Sequence, residues 1–314
     1  MLYFFIIVLL FAIELAYFKF ANHFDIIDKP NQRSSHTSIT LRGGGVIFYF
    51  GILFYFLIEG LHYPWFFSGL TLISIISFAD DIKPQSSKIR LIIHFISLAL
   101  MFYQWNLFEL PWYYTVIALI FCTGILNAYN FMDGINGITG GYSLVVTSAL
   151  CYINLYQVSF VDANFIYFLL IALLVFNFFN FRKKAKCFAG DVGAVSIAFI
   201  IVYLLGLLII KTHDFLYIIL LALYGVDAIL TIIHRLILKE NIFEPHRKHL
   251  YQILANELKL PHLLVSTIYM IFQVVIIIGL LYTPYKLIYS VAAILIMIIV
   301  YILFMRKYFH LHRV

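Results

Sequence analysis

The chain has 314 residues, 64% of them hydrophobic and only 11% charged, with a formal net charge of +6. That composition lies outside the range of soluble globular domains, and the unpaired spacing of Cys122, Cys151 and Cys187 indicates neither a disulfide framework nor a thiolate metal site. Basic loops at a membrane surface account for the positive charge without nucleic acid, and 32 Phe and 23 Tyr suit lipid-facing surfaces and interfacial belts.

Apolar runs of spanning or near-spanning length occur at roughly 1–22, 43–60, 65–79, 91–105, 111–127, 140–158, 164–180, 193–210, 215–234, 262–282 and 287–305. They predict an all-α polytopic membrane protein of about eleven transmembrane helices, a single membrane domain over residues 1–314 with no internal repeat. The first run lacks a basic leading segment and a small-residue cleavage signal, so it reads as a retained span. With the N-terminus outside, the inner segments are 23–42, 80–90, 128–139, 181–192, 235–261 and 306–314. They hold every Lys and Arg except Lys19, Lys211 and Lys286. This positive-inside bias predicts a cytoplasmic C-terminus and puts Asp80, Asp81, Asp133 and Asp191 on one cytoplasmic face.

The first inner segment runs Asp28-Lys29-Pro30-Asn31-Gln32-Arg33-Ser34-Ser35-His36 and then Arg42-Gly43-Gly44-Gly45. Pro and the glycine run mark irregular backbone whose amides could hold an anion. The spacing is not that of a P-loop, so ATP use is not inferred. Asp80-Asp81 follows at the end of the third run. Two adjacent carboxylates suit a general base or a cation ligand. They equally suit a solvated helix end balanced by Lys83, Lys88 and Arg90, and the pair alone does not decide.

Asn127, Asn130, Asp133 and Asn136 recur every three residues and are interleaved with Gly134, Gly137, Gly140 and Gly141. A glycine-rich helix contact explains Gly137 and Gly141. It gives no reason for three amides and an acid at a membrane junction, which favours ligand binding on adjacent faces of a turn or short helix. Asn177 and Asn180 close the seventh run, Arg182 to Lys186 reads as a headgroup anchor, and Asp191 sits two residues before Gly193. With the acids at 80, 81 and 133, Asp191 supplies oxygen ligands of the kind Mg²⁺ prefers, substrate phosphates completing the shell.

Asp227 lies inside a predicted span, about two helical turns before His234. It should face the bundle interior and orient a neighbour, a structural role, and Glu14 pairs within the bundle. The inner loop Pro245-His246-Arg247-Lys248-His249-Leu250-Tyr251-Gln252 clusters His and Arg as a phosphorylated substrate would require. Two histidines without a third ligand do not make a zinc site.

These motifs, in this order over most of the chain, resemble the polyprenyl-phosphate N-acetylhexosamine-1-phosphate transferases, glycosyltransferase family 4. The matching pieces are Asp28 to His36, Arg42 to Gly45, Phe78 to Asp81, Asn127 to Gly137, Phe188 to Gly193 and Pro245 to Gln252. The resemblance implies a bundle of ten or eleven helices in the bacterial inner membrane with its active site on the cytoplasmic face. It implies transfer of a sugar 1-phosphate from a UDP-N-acetylhexosamine to undecaprenyl phosphate, with UMP released, initiating a cell-surface polysaccharide such as capsule or O-antigen. Carried over, Asp80 and Asp81 resemble the pair that handles the lipid phosphate, Asp133 the acid of the central motif, and Asp191 the Mg²⁺ ligand, with Mn²⁺ as a substitute. Lys83 and Lys88 resemble basic residues near the phosphates. Asn127, Asn130, Asn136 and Asn180 belong to substrate-binding motifs, and His246, Arg247 and His249 to the loop lining the sugar-nucleotide site. Asn136 stands where the family commonly has Asp, which keeps hydrogen bonding but loses the charge.

A transporter or flippase of lipid-linked sugars is the alternative, and it should show repeated halves or interrupted helices near the midplane. A non-catalytic assembly subunit would give four acids on one face no reason to be there. The expected partners are undecaprenyl phosphate, the UDP-sugar and membrane lipids, with a homodimer left open. The sequence leaves the sugar and the pathway open.

Overall fold

The computed structural model describes residues 1–30, 35, 39–241, 246–308 and 310. Asn31, Arg33, Ser34 and His36 of the first inner loop, and Pro245 of the last, lie outside the described residues. The main helices are α1 (Leu2–His23), α2 (Ile47–Glu59), α3 (Pro64–Ile82), α4 (Ser87–Gln104), α5 (Trp112–Met132), α6 (Ile138–Tyr156), α7 (Ala163–Asn180), α8 (Gly190–Thr212), α9 (Ala222–Ile237), the short α10 (Leu250–Gln252), α11 (His262–Tyr282) and α12 (Lys286–Tyr308). Each of the eleven predicted apolar runs falls on a helix. Among the described residues nine helical stretches are long and apolar enough to cross a membrane, and Gly44–Glu59 is apolar but shorter. α4, which carries Lys88, Arg90 and His94, is not among the nine.

Helix is the form expected where water is absent, because it satisfies every backbone group within the segment. The starts are set by local chemistry: Pro64 opens α3, where its missing N–H costs nothing, and Asp162 caps α7 by accepting the Asn164 N–H at 2.8 Å. α8 is the central helix. Every residue from Val192 to Leu205 is buried, as expected of a helix that is apolar on all sides. α3, α5 and α2 pack against it, α6 joins α7 to α11, and α9 joins α5 to α12. α12 buries only Ser290, Tyr301 and Met305 and leaves the rest of its apolar surface outward.

Two boundaries differ from expectation. α3 continues through Asp80 and Asp81 to Ile82, and α5 continues through Asn127 and Asn130 to Met132. Polar residues do not stop a helix at the edge of an apolar run, because its hydrogen bonds are internal. Asn130, Asp133 and Asn136 therefore do not share one short helix: the first is on α5, the second caps it, and the third lies in the turn before α6. A small antiparallel pair also forms, with β1 (Ile27–Asp28) opposite β2 (Thr40–Leu41), extended by a parallel bridge from Leu41 to Cys187.

One close approach at the start of α8 is glycine on glycine, backbone against backbone. A Cβ built on Gly193 of α8 would lie 2.6 Å from Gly45 Cα, a backbone atom that cannot swing aside. Gly193→Ala should therefore lower the melting temperature of the detergent-purified protein, with an overpacking cost of about 1–3 kcal/mol. Gly124→Ala, on α5 with nothing within 4 Å, should leave it unchanged or raise it slightly. Equal behaviour of the two variants in differential scanning fluorimetry would contradict the packing argument.

Candidate active site

The site is assembled by the meeting of two segments far apart in sequence. Phe188 donates its N–H to Leu41 O at 2.8 Å, Gly44 donates to Phe188 O at 2.9 Å, and Gly45 donates to Ala189 O at 3.1 Å. The Gly44 and Gly45 amides are thus spent on carbonyls, and they do not form the anion nest that the glycine run suggested. What the glycines supply is room. Gly43 and Gly190 have φ of +81° and +70°, and a Cβ on Gly190 would lie 2.6 Å from Asp81 Oδ2 and 2.7 Å from Gly43 N.

This close approach brings three carboxylates and two guanidiniums together. Asp81, whose side chain is fully buried, accepts from the Asp191 and Val192 N–H groups at 2.9 Å each. It therefore caps the start of α8, and it also pairs with Arg42 Nε at 2.7 Å. Arg42 continues to Asp191 Oδ1 at 3.1 Å. Arg90 reaches Asp80 Oδ2 at 2.8 Å and Asp191 Oδ2 at 3.3 Å, while Asp80 also accepts the Gln85 N–H at 2.7 Å. Asp191 is bridged on both oxygens by arginine. These are charge-assisted contacts, each stronger than a neutral hydrogen bond.

Beside the network opens a cavity of about 250 Å³, lined by Asp28, Arg42, Asn130, Asp133, Asp191 and Gln252 among others. Of the residues singled out from sequence, it gathers Asn130, Asp133 and Asp191. Asp80 and Asp81 stand behind it, joined to Asp191 through the two arginines. Lys83 is exposed just past the end of α3, Lys88 is exposed in the first turn of α4, and Asn127 is exposed on α5; none of the three is on the cavity wall. Asn136 donates its amide to Arg182 O at 2.9 Å and Lys183 O at 3.2 Å. Asn180 accepts from Gly137 N and donates to Cys187 O, both at 2.8 Å. Both asparagines are buried and shape the loops around the cavity rather than lining it.

The last inner loop packs His246 against His249, ring centroids 4.9 Å apart, with Phe131 6.1 Å from His249. Burial, with the charges of His249 and Arg235 beside it, pushes His246 down to about 3, so it is neutral at physiological pH. Arg247 lies 3.5 Å from Glu257. Four residues of the site were named from the sequence without a role in it: Asp28, Arg42, Arg90 and Gln252. Arg42 directly before the glycine triplet was the available signal, and Arg90, read as a balancing charge, bridges two acids.

No group of three His, Cys, Asp or Glu suited to a metal occurs among the described residues. Mg²⁺ does not require one, since it is commonly held by one or two carboxylates with water and phosphate oxygens. Asp133 and Asp191, with the Asn130 amide, present oxygens of that kind to one cavity.

Asp133 follows the end of α5, where burial, aided by the Asp191 charge, pushes its carboxyl up to about 6. A carboxyl raised in the folded state holds its proton better there than when unfolded. The resulting stability cost is absent below the unfolded value near 4, grows as pH rises, and is complete above about 6. Asp133→Asn should therefore raise the melting temperature at pH 7.5 and much less at pH 4.5. A decrease at pH 7.5, or a difference independent of pH, would count against a strained carboxylate here.

Residues 63–210 match the family described as Glycosyl transferase family 4, a stretch that includes Asp80, Asp81, Asp133 and Asp191. The chain is similar to the probable undecaprenyl-phosphate N-acetylglucosaminyl 1-phosphate transferase of Bacillus subtilis (strain 168), 26% identical over 246 residues that take in 72% of this chain and 68% of that protein. It is also similar to the undecaprenyl-phosphate alpha-N-acetylglucosaminyl 1-phosphate transferase of Yersinia pestis, 29% identical over 208 residues, 60% of this chain and 56% of the relative. The Escherichia coli (strain K12) protein of the same name is 28% identical over 268 residues, 76% of this chain and 71% of the relative. With its acids gathered at one end of an apolar helical bundle, the chain is similar to glycosyl transferase family 4 over residues 63–210, just under half of its length, and to these relatives over a longer stretch.

Proposed function

We propose that this chain transfers an N-acetylhexosamine 1-phosphate from a UDP-sugar to undecaprenyl phosphate at the cytoplasmic face of the bacterial inner membrane. An oxygen of the lipid phosphate attacks the sugar-bearing phosphorus, the bond from that phosphorus to the bridging oxygen breaks, and UMP leaves. The product is undecaprenyl-diphospho-sugar, the start of a cell-surface polysaccharide. The observation that carries this reading is the three-carboxylate, two-arginine network opening on a polar cavity at one end of the bundle. Relatives named for transfer to undecaprenyl phosphate support it, and nothing comparable favours a flippase.

Two anionic substrates must be brought together, so most of the rate gain should come from placement and charge compensation. Arg42 and Arg90 supply fixed positive charge beside Asp191. Asp80, less committed to backbone amides than Asp81, is the group we assign to the lipid phosphate as proton acceptor. Asp81 holds the start of α8, and with it Asp191, in place. Asp191 and Asp133 would hold Mg²⁺, with Mn²⁺ as a substitute; when bound, the cation would neutralise the donor diphosphate and the departing UMP. Eleven spans with the N-terminus outside remain the topology that the loop charges favour.

Membranes containing the protein should convert undecaprenyl phosphate and one UDP-N-acetylhexosamine from a panel into lipid-linked product and UMP, followed by mass spectrometry. Asp191→Asn should reduce that rate by about 10² or more. Full activity in the variant would sink the assignment of Asp191. Failure of every donor, with folded protein and a working control enzyme, would sink the reaction as written.

A further inference from the structure

Asp227 sits inside α9, 4% exposed, and does not reach the cavity. A buried carboxylate in an apolar bundle persists only where its surroundings compensate the charge. Here they do so in one place. It accepts from Leu250 N at 3.0 Å, from Tyr251 N at 3.5 Å, from Tyr269 Oη at 2.6 Å and from Thr231 Oγ1 at 3.2 Å. His249 Nδ1 lies 3.4 Å away. Three consecutive residues of the last inner loop are therefore gathered on one carboxylate, which α11 steadies through Tyr269.

The turn held in this way reaches the cavity. Gln252 lines it, and Gln252 Oε1 accepts the His249 N–H at 3.2 Å, so the amide is oriented by the same turn. Tyr251 donates its hydroxyl to Phe131 O at 2.9 Å, and a Cβ on Gly134 would run into that hydroxyl. The turn thus abuts the segment that presents Asp133. An intramembrane acid is often part of an ion or proton path, but here Asp227 contacts Leu250, Tyr251 and His249 of one turn, with Tyr269 and Thr231 completing its surroundings.

We propose that Asp227 is a positioning residue: it fixes the His249–Gln252 turn so that the Gln252 amide stands in the cavity as a neutral hydrogen-bonding group for the nucleotide-sugar. The ligand class rests on the function proposed above; the clamp itself does not. Asp227 acts on donor binding through Gln252, and Tyr269 acts on it through Asp227.

The full-length protein in nanodiscs tests this with Gln252→Ala, Asp227→Asn, their double variant and Tyr269→Phe. The readouts are kcat, donor KM and hydrogen exchange of a peptide spanning residues 249–257. Gln252→Ala and Asp227→Asn should each raise donor KM by about tenfold with little change in kcat, the loss of roughly one hydrogen bond. The double variant should be no worse than either single, because both remove the same interaction. Exchange at 249–257 should rise in Asp227→Asn and not in Gln252→Ala. Multiplying KM effects, or faster exchange with unchanged KM, would overturn the proposal, the second leaving Asp227 a purely structural group. If Asp227→Asn does not fold, Tyr269→Phe removes a single hydroxyl contact and should shift KM and exchange in the same direction, by less; no shift would overturn the proposal. If the wild type turns over no UDP-sugar, the functional reading fails. The exchange comparison still decides the clamp, and unaltered protection would sink it.

Discussion

Asp81 accepts two backbone N–H groups at the start of α8 and an arginine that continues to Asp191. Taking such a charge out of water costs several kcal/mol before any partner is counted. Two amide donors, the positive end of the most buried helix and a guanidinium together offset it. Removing one partner from a buried arrangement of this kind typically costs about 3–5 kcal/mol, because the other charge is left uncompensated. The orientation of Asp191 and of Arg42 on the cavity wall depends on that contact, which sits where backbone hydrogen bonds dock the glycine turn against the start of α8.

The rest of the molecule makes the contact possible. Apolar helices can satisfy their backbones alone in lipid, whereas irregular backbone survives only where protein covers it. The short pairing of Ile27–Asp28 with Thr40–Leu41 and the bridge from Leu41 to Cys187, with the glycines at 43–45, 190 and 193, are non-helical backbone of this covered kind. Charged side chains sit where α3, α5 and α9 end and α8 begins, so the alternation of the chain through the bundle brings them to one end.

Much of the architecture was legible because apolar runs of spanning length have few other uses, and each run became a helix. Helix ends were less legible: Asp80, Asp81, Asn127 and Asn130 are polar yet helical, and hydropathy cannot separate the end of an apolar run from the end of a helix. At the site, Asp133, Asp191 and Asn130 could be singled out because an acid or amide at such a junction is costly without a task. Arg42 and Gln252 could not be weighed in the same way. The bond from Arg42 to Asp191 spans 149 residues, and nothing in local spacing announces it. Asn136 shows a related effect, since its side-chain N–H groups are used by carbonyls 46 and 47 residues away. Polar residues near a site serve its scaffold as often as its ligand, and sequence shows only that they need a partner.

The wide separation of partners also sets an order in time. Arg42 precedes Asp81 in the chain, but the amides that cap Asp81 lie 110 and 111 residues beyond it. At about 5–20 residues per second, the ribosome delivers the acid roughly 5–20 s before α8 arrives to receive it. Throughout that interval the end of α3 holds a carboxylate that can be covered only in part. The nascent bundle must stay open on that side until α8 enters, and the arrival of that helix brings the centre of the core and the last partners of the charged network together.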